Sequence, residues 1–184
     1  MTRYVAFFAS MNVGGHRLKM ADLRDLLVRE EFDDVETVIA SGNVLLSHEE
    51  RPSDGLEEKL AYIVEEHFGF PTFAAVRTRE ELEQAISGNP FHGAGDDKRV
   101  HTHFLQVRPD PAQFDQLLAD YSGRGDEKIA PGERVLYIDY VDGVANSKLT
   151  GPFIERRLGS RGTARNMSSL KRILEKMVQG HAAQ

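Results

Sequence analysis

A chain of 184 residues that is 40% hydrophobic and 8% aromatic carries enough apolar side chain for one or two globular cores. Its net charge of −6 gives no bulk attraction to nucleic acid, and the lack of cysteine excludes disulfides, thiolate metal sites and cysteine nucleophiles. Polar residues follow the apolar start too soon for a secretory leader, and no run of about 18 apolar residues offers a membrane span, so a soluble cytoplasmic protein is expected.

Arg3 to Ala9 is short, aromatic and β-branched, which predicts a buried strand. A Gly-rich loop follows, then Met20, Leu23, Leu26 and Leu27 recur at helical spacing. Val35 to Ala40 and Val44 to Ser47 flank the turn Ser41-Gly42-Asn43 and predict a hairpin. Ser53-Asp54 opens a helix with the stripe Leu56, Leu60, Ile63, Val64 and Phe68; Gly69 ends it, and Pro71 to Val76 is the next strand. Thr78 with Glu81 forms a capping box for a helix that Gly88-Asn89-Pro90 stops.

The same order then returns. Val100 to Val107 is a strand, and Asp110-Pro111 opens a helix with Phe114, Leu117 and Leu118 inside. Glu127 to Ala130 and Val135 to Tyr140 flank Pro131-Gly132 as a second hairpin. Phe153, Ile154 and Leu158 mark a short helix ended by Gly159, and Thr163 to Arg165 makes a brief strand. Leu170, Ile173, Leu174 and Met177 mark the last helix. The segments "VRTREELEQAI" (Val76–Ile86) and "ARNMSSLKRIL" (Ala164–Leu174) share an arginine, a capping residue and an apolar stripe, 88 residues apart.

The expected fold is therefore α+β: two tandem ferredoxin-like βαββαβ units, each followed by an extra helix. The expected division is residues 1–90, a linker at 91–99, and residues 100–184. Right-handed crossovers put both helices of a unit on one sheet face. The exit of the first strand and the first hairpin turn then share one end of the first sheet, so the Asn12–Lys19 loop should face Ser41-Gly42-Asn43.

Taken in order, "MNVGG" with "MADLRDLL", "SGNV", "NPF", "SKLT" and "TARN" resemble the bacterial family catalogued as domain of unknown function 1697, from Tyr4 to about Leu174. The resemblance implies the fold and brings no established activity. Where the family carries Arg-Gly before its Asn-Val-Gly-Gly segment, this chain has Ala9-Ser10-Met11. Gly151-Pro152 after "SKLT" also departs from it and should delay the following helix.

Two successive glycines before a helix let backbone N–H groups approach an anion where the helix end is partly positive. The spacing matches neither the dinucleotide fingerprint nor the P-loop. The expected function is binding of a small anionic, phosphate-bearing ligand. Backbone donors would come from Val13, Gly14 and Gly15, charge from Arg17 and Lys19, and polar contacts from Asn12, Ser41 and Asn43.

One alternative is nucleic-acid binding through the basic C-terminal stretch, above all Lys148, Arg156, Arg157, Arg161 and Arg165. Another is a hydrolase or group transferase acting on a nucleotide, with His16 or Asp22 as base, or a Ser10–His16 dyad. A third is an interaction module, monomer or homodimer, that pairs edge strands. His101 and His103 share one strand face and could hold a metal with His92 or Asp96, but partly exposed strand histidines suffice. Arg124-Gly125-Asp126 reads as a turn. No metal, cofactor or membrane is expected.

Overall fold

The computed structural model describes residues 1–9, 12–13, 16–39 and 42–180, with the backbone alone at 12–13 and 16–17. In chain order the elements are β1 (Thr2–Phe8), β2 (Asn12–Val13), β3 (His16–Arg17), α1 (Met20–Arg29), β4 (Asp33–Thr37), β5 (Asn43–His48), α2 (Ser53–Phe68), β6 (Ala74–Thr78) and α3 (Arg79–Ser87). Then come β7 (Val100–Leu105), α4 (Pro111–Tyr121), β8 (Lys128–Pro131), β9 (Val135–Asp139), α5 (Gly151–Leu158), β10 (Gly162–Asn166) and α6 (Met167–Gln179).

Two four-stranded antiparallel sheets result, in the orders β4-β5-β1-β6 and β10-β7-β9-β8. Setting aside the small β2-β3 pair, each sheet places its first and third strands at the centre and its second and fourth at the edges. That is the ferredoxin-like order, and the fold is α+β with the unit occurring twice. By compactness the chain divides into Met1–Glu83 with Arg172–Gln184, and Gln84–Lys171. No helix among the described residues is long and apolar enough to cross a membrane.

The first sheet packs Tyr4, Ala6, Phe8, Val44, Leu46 and Val76 against Leu23, Leu27, Leu56 and Leu60 of its helices. In the second unit, Leu105, Leu136 and Ile138 pack against Phe114, Leu117, Ile154 and Leu158. Alternate strand positions meet helix positions three and four apart, as the two periods require.

Several boundaries differ from the sequence expectation. β4 runs Asp33–Thr37 instead of 35–40, because Asp34 and Ile39 take positive φ (48° and 65°) and the register shifts between Asp33 and Glu36. Within it only Val35 is buried, so apolar character marks this edge strand poorly. β6 begins at Ala74, three residues later than Pro71 suggests. α5 is not delayed: it starts at Gly151 with Pro152 in its first turn, where the missing N–H costs nothing, and the Thr150 hydroxyl accepts the Phe153 N–H at 3.3 Å.

The internal repeat extends to side-chain chemistry. Arg77 on β6 donates to the carbonyl of Val76 at 2.6 Å, and Arg165 on β10 donates to the carbonyl of Ala164 at 2.8 Å. In the first unit the charge is matched by Glu57 on α2, 2.9 Å away, with both side chains over 90% buried. The same Glu57 oxygen accepts the Val76 N–H at 3.0 Å. In the second unit Arg165 bonds the Thr163 hydroxyl at 2.8 Å, and burial lowers its guanidinium to about 10.

Removing one member of a buried, hydrogen-bonded pair leaves the other charged and desolvated. Glu57→Ala should therefore destabilise the protein by about 3–5 kcal/mol. Urea unfolding monitored by circular dichroism measures this; a loss below about 1 kcal/mol would mean the pair is already solvated.

Candidate functional site

The end of the first sheet is assembled by backbone geometry. The Phe8 N–H, last in β1, donates to the carbonyl of Gly42 at 2.7 Å, and the Ala9 N–H donates to the carbonyl of Phe73 at 2.8 Å. Gly42 stands at φ 91°, a conformation glycine adopts without a Cβ penalty. Its own N–H points to the Met20 sulfur at 3.3 Å, in the first turn of α1. The exit of β1, the turn before β5 and the start of α1 thus meet at one end of the sheet, as the topology requires, while the expected facing of the Asn12–Lys19 loop and Ser41 falls in part outside the described residues.

Lys19 is the N-cap of α1, extended at φ −76° and ψ 136°. A lysine side chain has no acceptor, so it cannot satisfy the free N–H groups of the first turn, and no side-chain cap bond is formed. Lys19 is exposed, and Asp22 is the one acid in that turn.

The second unit provides an internal comparison. There the Leu105 N–H, last in β7, donates to the carbonyl of Arg134 at 2.9 Å, and Arg134 also has positive φ (52°) just before its third strand. The strand-exit device is the same. At the following helix, however, Asp110 and Gln113 form a capping box, the Asp110 N–H donating to Gln113 Oε1 at 2.8 Å. An aspartate stands at the start of this helix in one unit, and a lysine stands at the matching place in the other.

Of the residues singled out from sequence, Asn12–Val13 and His16–Arg17 form the antiparallel pair β2-β3, where an irregular loop was expected. Gly14, Gly15, Ser41 and Ser10 lie outside the described residues. Asn43 is 1% exposed on β5 opposite Phe7, and its carbonyl accepts the Val38 N–H at 3.0 Å.

The basic C-terminal stretch is dispersed over several elements, and much of its charge is already engaged. Arg157 bonds Asp120 at 2.7 Å and lies 3.4 Å from the Phe153 ring centre. Lys171 meets Asp97 at 2.7 Å, and Lys176 meets Glu36 at 3.0 Å. Other motifs have structural work. Ser147 of "SKLT" donates to Glu127 and accepts the Leu149 N–H, and Asn89 of "NPF" accepts the Phe91 N–H at 2.9 Å. Arg124 lies in a turn, its N–H bonded to the Tyr121 carbonyl at 3.0 Å.

Comparison with known proteins places the chain among others of this shape. The model of a family described as protein of unknown function (DUF1697) matches residues 1–137. The solved structure of a conserved bacterial protein from Streptococcus pneumoniae is similar with a TM-score of 0.69, at 24% identity over 96% of this chain and 98% of that one. No curated protein matches the chain.

His101 and His103 on β7 are both half-buried, in keeping with the partly exposed strand histidines expected from sequence. Burial lowers both imidazoles, and with the neighbouring His101 it brings His103 to about 4. Tyr140 stands beside them, edge-on to His101 at 5.0 Å and 3.4 Å from His103 Nε2. Among the described residues no three His, Asp or Glu side chains gather around a metal position. The folded state keeps His103 neutral while the unfolded chain protonates near 6.5. Stability should therefore fall as pH drops from 6.5 toward 4, by up to about 3 kcal/mol, and not further below that range from this group. His103→Gln should flatten that acid limb in urea unfolding measured across the same pH range; an unaltered limb would place its cause elsewhere.

Proposed function

The chain belongs to the DUF1697 family, whose function is unknown, and for it we propose binding of a small phosphate-bearing or otherwise anionic ligand at the β1 exit. The observation that carries this reading is the convergence of the β1 exit, the Gly42 turn and the uncapped start of α1 at one sheet end. The contrast with α4 supports it, since Asp110 would repel an anion where Lys19 attracts one.

Magnitudes indicate which groups must take part. A helix end contributes about 0.3–1 kcal/mol to an exposed anion, while millimolar affinity requires about 4 kcal/mol. Charge-assisted hydrogen bonds contribute about 1.5–3 kcal/mol each. In this reading Arg17 and Lys19 contact the anion directly, the backbone of Val13, Gly14 and Gly15 donates to it, and Asn12, Ser41 and Asn43 shape the wall. The nucleic-acid reading draws less support, because Arg157, Lys171 and Lys176 already face carboxylates of the protein itself.

A thermal-shift series with inorganic phosphate, nucleotides and sugar phosphates tests the reading. A ligand at 100 times its dissociation constant stabilises the folded state by about 2.7 kcal/mol. The paired substitution of Arg17→Ala and Lys19→Ala should abolish the shift, and Arg156→Ala with Arg161→Ala should leave it. A shift that survives the first pair contradicts the site.

A further inference from the structure

At the opposite end of the same sheet lies a second place of interest. The β1-β5 register pairs Phe7 with Asn43 near the Gly-rich segment and Thr2 with His48 at the far end. There a cavity of about 300 Å³ is lined by Met1, Glu31, Asp33, His48, Glu49, Arg51 and Lys59. That is the lower limit of small-molecule pockets, which run to about 1,000 Å³.

Neutral groups hold the Lys59 ammonium and the Arg51 backbone in place. Lys59 Nζ lies 3.2 Å from His48 Nε2 and 4.6 Å from the centre of the Phe32 ring. An ammonium only donates, so Nε2 is the acceptor, and Nδ1, 3.1 Å from the Glu49 carbonyl, carries the imidazole proton. The buried Tyr4 hydroxyl donates to the Arg51 carbonyl at 2.9 Å and accepts the Arg51 N–H at 3.0 Å, pinning that backbone. Glu31 adopts φ 61°, a conformation uncommon outside glycine.

Among the described residues, the ion pairs formed within 4.0 Å involve none of these five charged side chains. Two cationic side chains, the Met1 end and three carboxylates border one cavity, and no ion pair within 4.0 Å joins those side chains. We propose that this cavity binds a free α-amino acid, its carboxylate on Lys59 and Arg51 and its ammonium on Glu49, Asp33 and Glu31. A ligand with one charge meets repulsion from the other set: phosphate from three carboxylates, a simple amine from Lys59 and Arg51. A zwitterion satisfies both signs at once.

The test is calorimetric titration of the full chain with each of the twenty free L-amino acids, then with the N-acetyl and carboxamide derivatives of any that bind. At least one amino acid should bind at millimolar concentration or better, and each derivative should bind about tenfold more weakly. Lys59→Met and Asp33→Asn should each weaken binding to a similar degree. If either variant unfolds, Arg51→Gln at its exposed, backbone-anchored position serves instead. Arg17→Ala with Lys19→Ala should leave amino-acid binding intact, which separates this site from the anion site. Absence of binding by all twenty, or equal binding of a derivative lacking one charge, overturns the proposal.

Discussion

Burial of β1 on both faces is the constraint around which the first unit is organised. Tyr4, Val5, Ala6 and Phe7 are all fully shielded from solvent, and the strand is hydrogen-bonded on both edges, to β5 and to β6. In a sheet with one wet face, a one-residue slip would expose apolar side chains, so alternation specifies register. A strand apolar on both faces lacks that penalty. Here polar bonds at the strand ends distinguish the correct register: Phe8 to Gly42 and Ala9 to Phe73 at one end, and the Tyr4 hydroxyl to Arg51 near the other. The two ends where register is enforced are also the two ends where candidate sites lie.

Duplication makes a structural asymmetry visible. Both units keep the inward arginine of the fourth strand and the positive-φ residue that receives the first strand's last N–H. These are requirements of the fold. The units part company at the helix after the first strand, where Asp110 caps one and Lys19 begins the other. One unit begins this helix with a carboxylate and the other with a cation, the contrast on which the anion-binding proposal rests.

Much of the architecture was legible in sequence because it rests on local chemistry. The Thr78-Glu81 capping box forms as written, with Thr78 N–H to Glu81 Oε2 at 2.8 Å and Glu81 N–H to Thr78 Oγ1 at 3.2 Å. The 88-residue repeat marks equivalent arginines. What escaped was set by tertiary context. The edge strand β4 buries one residue and bends through positive φ, which hydrophobic pattern does not register. The pairing of Arg77 with Glu57, 20 residues away, has no local signature. The charged cavity is less legible still, since residues 31 to 59 meet there through sheet register and helix packing, without any motif spacing.

We propose that an anion binds where β1, the Gly42 turn and α1 converge. The most direct measurement is a titration of the ¹⁵N-labelled protein with inorganic phosphate, followed by amide chemical shifts. Saturating shifts should concentrate on residues 12–23 and on Gly42 and Asn43. Shifts that never saturate, or that concentrate around Arg156, Arg161 and Arg172, would contradict it.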